Sequence, residues 1–107
     1  MTQDYIISIE TFKQKYKKQP DLFVLDVRED HEYAYAHVPK SVHIPLGQLE
    51  SSLSKLPKDK EIYIICRTGN RSDYAAHLLM HYGFKHVFNI VPGMIAWDGP
   101  IENGVEK

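Results

Sequence analysis

An α/β domain, with helices on both faces of a mostly parallel five-stranded sheet, is the fold class this 107-residue sequence predicts. Three observations carry the expectation. Short apolar runs of strand length alternate with stripes spaced for helices. Pro20, Pro39, Pro45, Pro57 and Gly83 punctuate those runs where the pattern changes. The single cysteine, Cys66, stands between an apolar run and a helical pattern, at the strand end where α/β sheets place their sites.

The elements follow in order. Ile6-Ile7 reads as a short edge strand, and Ser8 as the N-cap of a helix whose Ile9, Phe12 and Tyr16 share one face. Gln19-Pro20-Asp21 breaks that helix, and Leu22 to Val27 is a central strand. Glu29 to Ala36 forms a short helix stopped by Val38-Pro39, and Ser41 to Ile44 a short strand ended by Pro45. Leu46, Leu49, Leu53 and Leu56 make the stripe of one helix closed by Pro57. Lys58-Asp59-Lys60 turns into the strand Glu61 to Ile65. The helix from Ser72 to Tyr82 buries Ala75, Leu78, Leu79 and Tyr82, with Gly83 at C′. His86 to Ile90 is the last strand, and Pro92-Gly93 opens a short Met94–Trp97 segment. Residues 98–107 carry few apolar side chains and read as a loosely ordered tail. With no repeat and no linker, one domain covers residues 1–107.

Composition bounds the function. At 43% hydrophobic and 25% charged residues the chain is ordinary for a globular protein, and 13 Lys+Arg against 14 Asp+Glu create no field for nucleic acid or an anionic membrane. Met1-Thr2-Gln3-Asp4-Tyr5 lacks a signal-peptide pattern, and no apolar run reaches membrane-span length. The expectation is a cytoplasmic monomer without nucleic-acid or membrane partners. One cysteine excludes an internal disulfide and a multi-cysteine zinc site.

Cys66-Arg67-Thr68-Gly69-Asn70-Arg71 concentrates the chemistry. A thiol between a strand end and a helix start meets converging backbone N–H groups and the positive end of the helix dipole. Such settings lower thiol pKa values and hold an anion alongside. Gly69 lets the loop take a conformation that a Cβ resists, and the two arginines offset the charge of an anion approaching a thiolate. Taking a thiol pKa from ~8.5 to ~7 raises the thiolate fraction at neutral pH about 16-fold. The weaker base gives back roughly 5-fold in nucleophilicity, which leaves a net gain of about 3-fold. Binding an anionic donor and stabilising an anionic product are therefore the larger tasks of the cations.

With that loop in its strand–helix setting, the chain resembles the rhodanese family, as a single-domain sulfurtransferase. Leu25-Asp26-Val27-Arg28-Glu29 is similar to the family's first strand and its Asp-x-Arg signature. Glu32-Tyr33 and the stretch from Ala36 to Pro45 resemble its Gly-His-Ile-x-Gly-Ala-x-Asn-Ile-Pro box, with Ala36 and Lys40 at usual glycines and Ser41 and His43 for Ala and Asn. Cys66 to Ser72 matches the active loop, and Val91 to Trp97 resembles the closing Gly-Gly-x-x-x-Trp, with Pro92 for the first glycine.

The resemblance implies a rhodanese-like three-layer sandwich. It also implies a Cys66 persulfide that carries sulfur from a thiosulfate-like donor to a thiol or a protein cysteine. Arg67, Thr68, Gly69, Asn70 and Arg71 would bind the donor, with no cofactor and no metal. Asp26 and Arg28 are supporting candidates, read as an ion pair that orders loops. His37 is expected to fix a turn, and His77 and His81, spaced i, i+4, to lie on an exposed helix face. Two alternatives stay open. Rhodanese-like domains also act as non-catalytic binding or regulatory modules, from which the retained Cys66 argues away. A phosphatase loop of the related Cys-x5-Arg type has one more residue; here the arginine is fifth after the cysteine and Ser72 is sixth.

Overall fold

The computed structural model describes residues 5–104. Strands β1 (Ile6–Ser8), β2 (Phe23–Asp26), β3 (Val42–His43), β4 (Ile62–Ile65) and β5 (Val87–Val91) form one sheet in the order β1-β5-β4-β2-β3, and every pairing is parallel. The helices are α1 (Ile9–Lys18), α2 (Asp30–Tyr35), α3 (Leu46–Leu49) and α4 (Asn70–His81). Central β4 is buried on both faces, as its unbroken Ile-Tyr-Ile-Ile run requires.

Alternation along β2 and β4 divides the core into two layers. Leu25, Ile62 and Ile64 pack with Ala75, Ala76 and Leu79 of α4 and with Leu49 and Leu56. Val24, Tyr63 and Ile65 face the other way, onto Ile9, Phe12 and Tyr16 of α1, with Met94 and Trp97 at the margin. Phe12 sits among rings, 5.7 Å from Tyr63 and 5.6 Å from Trp97 between centroids. The result is the α/β fold that the sequence predicts.

Most elements fall where expected. Ser8 caps α1 by accepting from the Thr11 amide at 3.1 Å, and Glu29 and Glu32 form a capping box that starts α2. Two boundaries and one burial differ for physical reasons. The leucine stripe is not one helix: α3 passes into a 3₁₀ segment, Glu50–Lys55, kinked at Ser52. There Ser51 Oγ donates to Gln48 O at 3.1 Å and competes with the helical ladder. Helix α4 starts at Asn70 because Gly69, at φ 98°, caps it, so Asn70 and Arg71 lie in its first turn and not in the loop. Tyr82, expected to be buried, is 37% exposed and bonds Glu50.

The expected loose tail is tied down through Gly104. Glu102 and His37 exchange backbone hydrogen bonds of 2.8 and 2.9 Å, and the Gly104 amide donates to Ala34 O at 2.8 Å. Lys13 pairs with Asp98 at 2.6 Å. Residues 105–107 of that tail, and residues 1–4, lie outside the described residues. No helix among the described residues is long and apolar enough to cross a membrane.

Candidate active site

Cys66 directly follows β4, which lies between the neighbouring strands β2 and β5, and it is 1% exposed. The chain then turns through Arg67 and Thr68, and Gly69 in its left-handed conformation sends it into α4. That turn aims two backbone amides at the sulfur: Gly69 N–H donates to Cys66 Sγ at 3.2 Å and Ser72 N–H at 3.3 Å. The unpaired amides of the first helical turn thus converge on a single atom.

A second clamp comes from behind. Gly93 has φ 125° and ψ −148° and presses against the cysteine backbone. This lets Met94 N–H donate to Cys66 O at 2.9 Å and Ile95 N–H to Arg67 O at 3.1 Å. The turn after β5 therefore holds the start of the cysteine loop in place.

Ser72 and Asn89 belong to the site, although the sequence marks neither as a site residue. Ser72 is fully buried and its Oγ lies 3.2 Å from Cys66 Sγ. Ser72 Oγ donates to Asn89 Oδ1 at 2.5 Å, and Asn89 Nδ2 donates to Gly69 O at 3.2 Å. Asn89, 2% exposed in the middle of β5, is a polar residue on an otherwise apolar strand. That break in the Val-Phe-Asn-Ile-Val run is the one sequence signal by which Asn89 could have been found.

The two arginines separate. Arg67 is exposed and, among the described residues, its guanidinium has no ion-pair or hydrogen-bond partner. It lines a cleft of about 520 Å³ shared with Arg28, His31, Tyr35, Met94 and Ile95. Arg71 instead forms a two-pronged pair with Glu32 of α2, at 2.7 and 2.9 Å. That hydrogen-bonded pairing holds the Glu32 carboxyl down at about 2, and it raises the Arg71 guanidinium. Glu32 thus offsets the charge of Arg71, and Arg67 is left as the cation of the cleft. Thr68 and Asn70 are exposed at the loop mouth, while Gly69 is buried.

Asp26 and Arg28 form the expected ion pair, buried at the end of β2. Arg28 donates Nε and Nη2 to Asp26 at 2.9 and 2.8 Å, and Nη2 also reaches Ala36 O at 2.8 Å. The pair fastens the β2 end to the end of α2 and places one face of Arg28 on the cleft. His37 Nδ1 donates to Tyr33 O at 2.7 Å, and its ring stacks on Tyr33 with centroids 3.7 Å apart. His77 lies 3.7 Å from Asp73 on the exposed face of α4, away from the cysteine loop. No cluster of three metal-ligating side chains occurs among the described residues.

Fold and site together define an α/β domain that buries a cysteine under two converging backbone amides, beside a loop residue, Arg67, that lines a cleft together with Arg28 and Glu32. The chain belongs to the rhodanese family: it matches the Rhodanese-like domain over residues 8–99. A rhodanese-like domain protein of Staphylococcus aureus superposes with a TM-score of 0.86 at 29% identity, over 94% of this chain and 98% of that one. YrkF of Bacillus subtilis (strain 168), provisionally named a sulfur carrier protein, is 51% identical over 90% of this chain, which spans only 52% of that protein. A protein named sulfurtransferase from Allochromatium vinosum is 33% identical, with 85% of each chain aligned.

Proposed function

We propose that this chain is a sulfurtransferase that moves a sulfane sulfur through a persulfide on Cys66. The thiolate attacks the outer sulfur of a donor such as thiosulfate. A sulfur–sulfur bond forms to Cys66, the donor's own sulfur–sulfur bond breaks, and its electron pair leaves with sulfite. A small thiol or a protein cysteine, as its thiolate, then attacks the outer sulfur. It takes that sulfur as a new persulfide and returns the Cys66 thiolate.

One observation supports this most: Gly69 N–H and Ser72 N–H converge on Cys66 Sγ at 3.2 and 3.3 Å, in a loop whose unpaired cation is Arg67. Preorganised amides stabilise sulfur anions without reorganisation, and the free guanidinium receives the donor's anionic group. Relatives named sulfur carrier and sulfurtransferase agree with the reading. A phosphate-ester reading fits less well, since Ser72 stands at the sixth position after the cysteine, where a Cys-x5-Arg loop has its arginine, and Arg71 before it is bound to Glu32.

The test is intact-mass analysis after thiosulfate incubation and desalting. One added sulfur atom is expected, because the chain has no second cysteine to displace it. A small thiol in excess should take it as its own persulfide, from which a second thiol releases sulfide and forms the disulfide. Cys66→Ser should load nothing while keeping its fold. Loading in a folded Cys66→Ser protein, or no loading of the parent by any sulfane donor, overturns the proposal and leaves the binding-module reading.

A further inference from the structure

Three contacts link Gly69 O, Asn89, Ser72 and Cys66 in a buried chain, and the donor capacity of each group fixes the direction of the bonds. Gly69 O is an acceptor only, so Asn89 must turn its amide NH₂ toward it, at 3.2 Å. This fixes Asn89 Oδ1, also an acceptor only, 2.5 Å from Ser72 Oγ. Ser72 has one hydroxyl proton, and Oδ1 claims it. While the sulfur carries its proton, the hydroxyl can then only accept across the 3.2 Å to Cys66 Sγ, with the thiol S–H as the donor. The relay runs from S–H to Oγ–H to Oδ1, and its direction is set at Asn89.

We propose that Asn89 is a positioning residue. It holds the Ser72 hydroxyl proton away from Cys66, and the hydroxyl turns to the sulfur only once the sulfur has lost its proton. The inference rests on the reading of Cys66 as the sulfur-carrying nucleophile. When that nucleophile forms, its proton goes to solvent water or a buffer base. Ser72 keeps its own proton and swings it from Oδ1 to Sγ, which adds a third donor to the two amides. The swing leaves Oδ1 without its donor in a site with no exposed surface to replace it. The same turn serves the loaded state, in which Sγ carries no proton and is an acceptor only. Asn89 thus restrains the free thiol and yields when the sulfur is charged or loaded.

The charged groups around the sulfur are Arg67 on the loop, Arg71 with Glu32 of α2, Arg28 with Asp26 at the β2 end, and Asp73 in the first turn of α4. None of them changes in the test, so their fields cancel in the comparison.

The experiment follows the thiolate of Cys66 by its ultraviolet absorbance against pH, in the parent, Asn89→Leu, Ser72→Ala and the double variant. Asn89→Leu removes Oδ1, and Gly69 O keeps the Asp73 amide at 3.1 Å, so no backbone acceptor is orphaned. Releasing the hydroxyl to the sulfur should favour the thiolate about three- to tenfold, a fall of roughly 0.5 to 1 unit in the titration midpoint. In the Ser72→Ala background the same substitution should move the midpoint by less than about 0.2 unit, since no hydroxyl is left to release. Equal shifts in both backgrounds would mean that Asn89 acts only through packing and Gly69, and would overturn the proposal; so would no shift with Ser72 present. Asn89→Ala, which also removes Oδ1, gives the same comparison if the leucine variant does not fold. The titration needs no sulfur donor, so a chain that loads no sulfur yet shows the Ser72-dependent shift fails only the functional reading.

Discussion

Replacing Gly93 by alanine tests how the cysteine loop is held. Gly93 occupies φ 125° and ψ −148°, a region that side chains avoid, at a cost of about 1–3 kcal/mol. A Cβ there would also stand 2.3 Å from Cys66 O and 3.0 Å from Arg67 O, both backbone atoms. Relief requires moving the two carbonyls that accept from Met94 and Ile95. Straining those bonds adds roughly 1 kcal/mol each. The expected loss is about 3–5 kcal/mol, a large share of the stability of about 5–15 kcal/mol typical of a single domain.

Urea unfolding followed by Trp97 fluorescence measures it, with two alanine controls. Gly69→Ala, at φ 98° with Val91 Cγ1 at 3.2 Å from its new Cβ, should cost about 1–2 kcal/mol. Gly47→Ala, inside α3 with nothing within 4 Å, should gain up to about 1 kcal/mol. Folded Gly93→Ala protein should also lose sulfur loading, because Cys66 and Arg67 move together. A loss below about 1 kcal/mol, with loading intact, would refute the clamp.

Arg67→Ala should change stability by no more than about 0.5 kcal/mol, as an exposed and unpaired cation. It should lower kcat/KM for thiosulfate; an unchanged value in the cyanide-to-thiocyanate assay would remove Arg67 from donor binding. Glu32, held at about 2 against an ordinary 4.5, contributes stability that is fully present above pH 4.5 and lost as pH falls toward 2. Glu32→Gln should lack that acid-dependent component, worth about 1 kcal/mol for a partly solvated pair; matching stability–pH curves for parent and variant would contradict the pairing. Lys40 sits at φ 65°, where the family usually has glycine, so Lys40→Gly should raise stability by about 0.5–1 kcal/mol in the same urea assay, and a fall would show that its side chain earns the conformation.

Strand and helix identities were legible because burial leaves its period in the residues. The Ile62–Ile65 run, the Ile9–Phe12–Tyr16 stripe and the Ser8 cap are local signals, and each element formed within a residue or two of its expected place. The leucine stripe misled because apolar spacing reports which side chains face the core. It is blind to a serine hydroxyl that breaks the ladder between them. Helix α4 began early because a left-handed glycine cap resembles a loop glycine in sequence.

The cysteine, its glycine and its arginines were written in one loop, and the sequence alone determined that a thiol would meet a helix start among cations. Which cation is available was decided only in three dimensions. Arg67 and Arg71 look alike in the chain, but α2 brings Glu32 from 39 positions away onto Arg71 and leaves Arg67 to the cleft. Ser72 likewise reads as a helix residue, and Asn89 as an oddity in a strand, until parallel pairing of β4 with β5 carries Asn89 to the sulfur's side. Local patterns encode which way each side chain faces. The partner it finds there depends on strand order and on the packing of distant segments, which no window of neighbouring residues contains.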